Sequence, residues 1–186
     1  MVAFFAAAQW LSFIEATAIY VVTTLLVVII IGFGSRRLPY LSLIFGAFVI
    51  GGGGLSILFD YPDILIFADT IYFFSGIAAI LWFLKTDKTL VERLFGHTFA
   101  LTPRGWQLLN WQWILVFSLA GISNEIVRAV ATPEWWIGFQ FWRGVGIVLL
   151  TIGNLYITHH YRDEAVAGAW GIRRSESAGE VNKPQL

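Results

Sequence analysis

Five separate stretches of this chain are long and apolar enough to cross a bilayer. A span needs roughly 20 consecutive apolar residues, and the predicted spans cover 13–33, 38–59, 64–84, 108–124 and 135–157. Inside hydrocarbon no water is present to satisfy backbone N–H and C=O groups, so each span must be a helix. The expected fold is therefore all-α: a polytopic membrane helix bundle of about five transmembrane helices. Composition closes off the soluble alternative. The chain is 58% hydrophobic and 13% charged, where a soluble domain carries about 25% charged residues. So few charges cannot cover a water-facing surface.

Local grammar marks the boundaries. The first span ends at Gly34-Ser35-Arg36-Arg37, and Pro39 opens the second in its first turn, where a missing N–H costs little. Asp60-Tyr61-Pro62-Asp63 makes a short polar turn, and Lys85-Thr86-Asp87-Lys88 stops the third span. Thr89-Leu90-Val91-Glu92 fits a capping box. With Leu94, Phe95 and a helix-ending Gly96, it predicts a short amphipathic interfacial helix. Thr102-Pro103 and Thr132-Pro133 each read as a cap followed by a proline start. Trp82, Trp106, Trp111, Trp135, Trp136 and Tyr156 fall near span ends, as aromatic belts do. The bundle is expected to cover 1–162, and the small, polar 163–186 to form a disordered cytoplasmic tail. The residues before Phe13 carry no basic signal-peptide start and are expected to be retained, in the interface or as an extension of a tilted helix.

The charges set an orientation. Arg36, Arg37, Lys85, Lys88, Arg93, Arg104, Arg162, Arg173, Arg174 and Lys183 lie on one side, and the opposite loops hold Arg128 against Asp60, Asp63, Glu125 and Glu134. By the positive-inside bias the basic side is cytoplasmic, with the N-terminus periplasmic and the C-terminus cytoplasmic. Zero net charge gives no electrostatic case for nucleic acid. With no Cys, thiol catalysis and thiolate metal sites are excluded.

A few polar residues interrupt the spans. Asp69 lies roughly 9 Å into the third span at 1.5 Å per residue, and Arg143 is expected at a similar depth in the fifth. Charges within a bilayer are expensive, so they pair or line a polar path. Glu15, Asp69, Gln140 and Arg143 form a candidate intramembrane cluster, read either as a structural ion pair or as a relay or headgroup site. Gly51-Gly52-Gly53-Gly54 could break a helix for a ligand. It could equally let a neighbour approach closely, with Ala47 giving a small-xxx-small spacing to Gly51. Asn110, Gln112, Asn124 and Asn154 suit interhelical hydrogen bonds or a substrate path. Arg104 with Trp106, Trp111 and Trp113 suits interfacial anchoring or an anionic headgroup. His97, His159 and His160 fall outside the spans, so paired intramembrane haem ligands are missing and a zinc site is not expected. No metal or cofactor is expected, and no phosphate loop, nucleophile elbow or zinc-protease motif is present.

The segment 90–113, LVERLFGHTFALTPRGWQLLNWQW, joins Arg93, Gly96, Ala100, Leu101, Pro103, Trp106, Leu109, Asn110 and Trp113 at fixed offsets. Phe117 and Asn124 continue the pattern, with Gly53-Gly54-Leu55-Ser56, Trp136 and Phe139, and Ala16-Thr17-Ala18 elsewhere. On these residues the chain resembles the intracellular septation protein A family of bacterial inner-membrane proteins. It departs from the family pattern at 64–70, where two lysines are absent and Asp69 is added, and at Gln140, which stands in place of a lysine. The resemblance implies a multi-pass protein of the bacterial inner membrane with a role in envelope biogenesis, envelope integrity and septation. It implies no catalysis, and partners among membrane lipids and division and envelope-synthesis proteins. The alternative left open by the residues is a small transporter or channel for protons, ions or lipids using Asp69 and Arg143. A membrane enzyme acting on a lipid has only Glu92, Arg93 and His97 to draw on.

Overall fold

The computed structural model describes residues 2–34 and 40–174. Its helices are α1 (Val2–Ala7), α2 (Phe13–Gly34), α3 (Tyr40–Phe59), α4 (Asp63–Phe83), α5 (Leu90–Phe95), α6 (Pro103–Val130) and α7 (Pro133–His160). Four of them, α2, α4, α6 and α7, are long and apolar enough to cross a membrane, and Leu43–Phe59 of α3 is a shorter apolar stretch. The five expected spans are therefore all helical. Leu38-Pro39, the expected start of the second span, lies outside the described residues, as do Arg36, Arg37 and Lys183. The last two long helices exceed the predicted 108–124 and 135–157 at both ends: each starts at its proline, and they run on to Val130 and His160. At 28 residues and 1.5 Å per residue, α6 runs about 42 Å, longer than the roughly 30 Å hydrocarbon core. Val22, Leu26, Ile30, Phe33, Leu58, Leu115 and Val148 are all exposed. In water that surface would be a severe cost. In lipid it is the expected solvent-facing surface.

The chain divides into two compact units. The first comprises Met1–Gly76 and Phe117–Ile147. Its core is Phe4, Phe13, Ala16, Tyr20, Val49, Leu65, Ile66, Trp136 and Ile137. The short α1 is part of that core. Phe4, 1% exposed, stacks on Tyr20 at 4.8 Å and meets Trp136 edge-on at 6.3 Å. The residues before Phe13 are thus a packed element of the bundle rather than an interfacial lead-in or an extension of α2.

The glycine run of α3 does not break the helix. A Cβ at Gly52 would lie 2.4 Å from the Ala68 Cβ of α4, and one at Gly53 would lie 2.5 Å from Val21 Cγ2 of α2. These two glycines let three helices approach closely. Gly51 and Gly54 meet nothing, and Ala47 is exposed, so the expected Ala47–Gly51 pair is not the contact. The packed face runs through Gly46, Val49 and Gly53 instead.

The end of α3 is a Schellman turn. Tyr61 N–H donates to the Ser56 carbonyl at 3.0 Å, while Asp60 takes φ 51°.

The second unit comprises Ile77–Val116 and Val148–Leu186. Its core is Val91, Leu101, Trp106 and Leu109, flanked by Phe95, Phe99, Trp113 and Ile157. The interfacial helix forms as expected, with the Thr89 hydroxyl accepting from Glu92 N–H at 3.4 Å. Gly96 follows with right-handed angles, φ −64° and ψ −14°, and is not a left-handed terminator.

The tail expectation needs correction. Residues 163–174 fold back onto the segment before α6 rather than being disordered; the rest of 163–186 lies outside the described residues. Ala100 N–H donates to the Gly171 carbonyl at 2.8 Å, Arg173 N–H to the Thr98 carbonyl at 2.8 Å, and Asp163 N–H to the Ala100 carbonyl at 3.0 Å. Gly171 takes φ +74°, and a Cβ there would lie 2.5 Å from the Thr158 carbonyl oxygen. Only glycine fits that turn.

Candidate functional site

The polar site lies in the first unit and is built on α4, α6 and α7. Trp136, Gln140 and Arg143 are spaced i, i+4, i+7 and share one face of α7. Ile66, Asp69, Thr70 and Phe73 belong to one face of α4 in the same way. Arg143 Nη2 lies 2.6 Å from Asp69 Oδ2, with the two side chains 7% and 11% exposed. Gln140 Nε2 donates to the same Asp69 oxygen at 2.9 Å, and its own Oε1 accepts from Arg143. The guanidinium also lies 4.7 Å from the Phe73 ring centroid and 5.5 Å from that of Phe139. A buried charge of this kind is tolerated where its donors and acceptors are all met.

Asn124 on α6 closes the cluster. Its Oδ1 accepts from Trp136 Nε1 at 2.7 Å and from Arg143 Nη1 at 3.0 Å. Its Nδ2 donates to the Ile66 carbonyl at 3.0 Å and to the Thr70 hydroxyl oxygen at 2.9 Å. Two donor hydrogens and two lone pairs are the whole capacity of an amide, so Asn124 is saturated. The Thr70 hydroxyl in turn donates to Glu125, which holds Arg128 at 2.6 Å. A buried ion pair and a half-exposed one are thus linked through Thr70 and one asparagine. Beside the cluster is a cavity of about 10 Å³, lined by Tyr20, Asp69, Tyr72, Gln140 and apolar neighbours. That is room for about one water molecule.

The expected cluster of Glu15, Asp69, Gln140 and Arg143 therefore forms without Glu15. Glu15 is exposed and accepts from Ser12 N–H and the Ser12 hydroxyl, each at 2.9 Å, while Ser12 Oγ accepts from Glu15 N–H at 3.4 Å. It is half of a capping box at the start of α2. Thr70, Glu125, Arg128 and Trp136 belong to the network but were not singled out as members from sequence. The i, i+4, i+7 spacing of Trp136 with Gln140 and Arg143 was the available signal.

The motif residues divide between the units. Asn124 belongs to the cluster just described. Trp106 and Leu109 are buried in the core of the second unit, and Trp113 packs against it. Asn110 is buried there too, donating to the Trp106 carbonyl at 2.7 Å and accepting from Val91 N–H at 3.5 Å, which ties α5 to α6. Arg93 is exposed, donates to the Lys88 carbonyl at 3.0 Å and lies over the Phe83 ring at 5.1 Å. The Gly96 carbonyl receives the Arg173 Nε at 3.1 Å, and Pro103 opens α6 behind the Thr102 cap. Trp106 and Trp136 are core residues, not belt anchors, whereas Trp82, Trp111, Trp135 and Tyr156 are exposed as belts require. Arg104 lies 5.9 Å from the Tyr161 ring centroid. Gln112 donates to the Leu150 carbonyl at 2.8 Å. Among the described residues no group of three or more His, Cys, Asp or Glu could hold a metal ion.

Apolar helices that expose their side chains and bury one closed ionic cluster define a multi-pass helical membrane protein. The chain belongs to the intracellular septation protein A family, whose profile, described as Intracellular septation protein A, matches residues 1–164. It is 29% identical to an inner membrane-spanning protein YciB of Nitrobacter hamburgensis, over 98% of this chain and 91% of that protein. It is 26% identical to the protein of the same name from Escherichia coli O1:K1 / APEC, over 88% of this chain and 93% of that one. A Marinomonas relative, again named inner membrane-spanning protein YciB, is 27% identical over 81% of this chain. No solved structure matches the chain. The family and the apolar helices together make it a multi-pass protein of the inner membrane.

Proposed function

We propose that this chain acts without catalysis in septation and envelope biogenesis, as an inner-membrane organiser that binds division or envelope-synthesis proteins or membrane lipids. It would sit with its basic loops in the cytoplasm and its N-terminus in the periplasm. The observation that carries this reading is the closure of the Asp69–Arg143 cluster. Every polar atom of Asn124 is used within the cluster. Gln140 joins both charged partners, and the adjoining cavity holds about one water. A relay needs groups free to exchange protons or ions with a continuous polar path. A clasp needs them engaged with one another, as Asp69, Gln140, Arg143 and Asn124 are here.

The test is a proton-flux measurement on the purified protein in liposomes containing a pH-sensitive dye. The expected leak equals that of protein-free liposomes. A flux that Asp69→Asn abolishes would replace this reading with the transporter.

A further inference from the structure

The fold-back of 163–174 carries a hairpin. Ala167 and Arg173 face each other as an antiparallel bridge. Arg174 N–H donates to the Val166 carbonyl at 3.0 Å, and Ile172 N–H to the Ala169 carbonyl at 3.3 Å. Trp170 and Gly171 form the tip, with φ 59° and φ 74°. Two consecutive left-handed residues are what a type I′ turn requires, and Asn-Gly or Gly-Gly is the usual pair. A bulky aromatic residue in that region is a backbone outlier. The turn by itself favours asparagine or glycine at 170. What the tryptophan adds is its ring, which is 53% exposed.

Two further observations say what that ring meets. The first is position. Trp170 packs on His159 with centroids 4.9 Å apart, and Tyr156 stacks on His160 at 5.6 Å. Leu149, Ile152 and Tyr156 are exposed and share one side of α7 by their i, i+3, i+7 spacing. The hairpin tip therefore continues a helix face that already lies against lipid. At 28 residues, α7 runs about 42 Å, which carries its last turn out of the roughly 30 Å hydrocarbon core to headgroup depth. Tryptophan concentrates at that depth. The second observation is charge. Over 96–104 and 157–174, Arg104, Arg162, Arg173 and Arg174 stand against only Asp163 and Glu164. Val166 and Ile172 are exposed on the same hairpin. A patch both apolar and cationic suits an anionic bilayer surface.

We propose that this hairpin is a membrane-surface anchor. Trp170 inserts among the headgroups of anionic phospholipids in the leaflet at the C-terminal end of α7, and the arginine side of the hairpin lies over their phosphates. In the proposed orientation that leaflet is the cytoplasmic one. Through its backbone bonds to 98–100, the hairpin ties the loop before α6 to the bilayer surface. The inference goes beyond the organiser reading, because it needs neither a septation role nor a closed Asp69–Arg143 cluster.

The chain has no cysteine, so Ala169→Cys, exposed beside Trp170, takes a single nitroxide label. Power-saturation EPR on the full chain in nanodiscs compares the label's access to oxygen, which concentrates in the bilayer, with its access to a water-soluble nickel chelate. With Trp170 in place the label is expected to favour oxygen, and more so in POPC with POPG than in POPC alone. Trp170→Gly, which suits the left-handed turn and removes the ring, is expected to shift the label toward nickel while the melting temperature holds or rises. A label that favours nickel with Trp170 present would put the ring in water and overturn the proposal. So would an unchanged label depth after Trp170→Gly, or equal depth in the two lipid mixtures. A fall in melting temperature on Trp170→Gly would also overturn it, by making the ring a packing element against His159. The assay reads neither septation nor proton flux, so its failure leaves those tests standing.

Discussion

Asn124 carries more of the first unit's specificity than any other single residue. It touches two residues of α4 and two of α7. Hydrogen bonds between membrane helices average only about 0.6 kcal/mol each, and the bond to a charged guanidinium is stronger. Asn124→Leu keeps the volume and removes all four. It is expected to lower stability by about 3 kcal/mol in thermal or denaturant unfolding in detergent. A loss below about 0.5 kcal/mol, within the range of an ordinary surface substitution, would mean that water or lipid replaces those bonds. At this scale the sequence was partly legible. Asp69 and Arg143 announced themselves, because a charge in an apolar run has few alternatives to pairing. Glu15 misled, because an acid three residues after Ser12 reads equally well as a cap once the helix start is known. Trp136 looked like a belt residue, because burial depends on neighbours that no local spacing reveals.

At the scale of the helix, glycine placement separates contact from tolerance. Gly52→Ala puts a methyl into the Ala68 contact, and Gly53→Ala puts one into Val21. Each is expected to destabilise by about 1–3 kcal/mol, the usual cost of overpacking. Gly51→Ala and Gly54→Ala meet open space and are expected to be neutral, or to stabilise by about 0.5–1 kcal/mol through helix propensity. Four melting temperatures in one detergent check the pattern, and destabilisation of equal size at all four positions would contradict it. The existence of α2, α3, α4, α6 and α7 was plain from apolar length, and the proline starts of α6 and α7 from cap chemistry. The facing of α3 was not. A helix that is apolar on every side gives no periodic signal of which side meets protein and which meets lipid, so the spacing from Ala47 to Gly51 was a guess at register that the packing does not follow.

For the whole molecule, lipid as solvent made the class of fold legible and hid the rest. Spans are dictated by hydrocarbon, whereas the folding back of 163–174 rests on backbone hydrogen bonds to 98–100 and on Gly171, which leave no apolar pattern to read. The orientation is open to a clean measurement because the chain has no cysteine. A single cysteine at Tyr61 is expected to react with an impermeant maleimide in intact spheroplasts. One at His97 is expected to react only after the membrane is opened. The reverse pattern would invert the proposed topology.

The central claim is that Asp69 and Arg143 hold helices together rather than move a solute, and it is tested most directly by septation in cells lacking the native protein. Asp69→Leu and Arg143→Leu are each expected to leave an unpaired buried charge, costing about 3–5 kcal/mol, and to fail to restore septation. The double substitution, with no charge left to bury, is expected to restore both protein level and septation. A double variant that accumulates in the membrane at the wild-type level yet leaves septation defective would contradict the account.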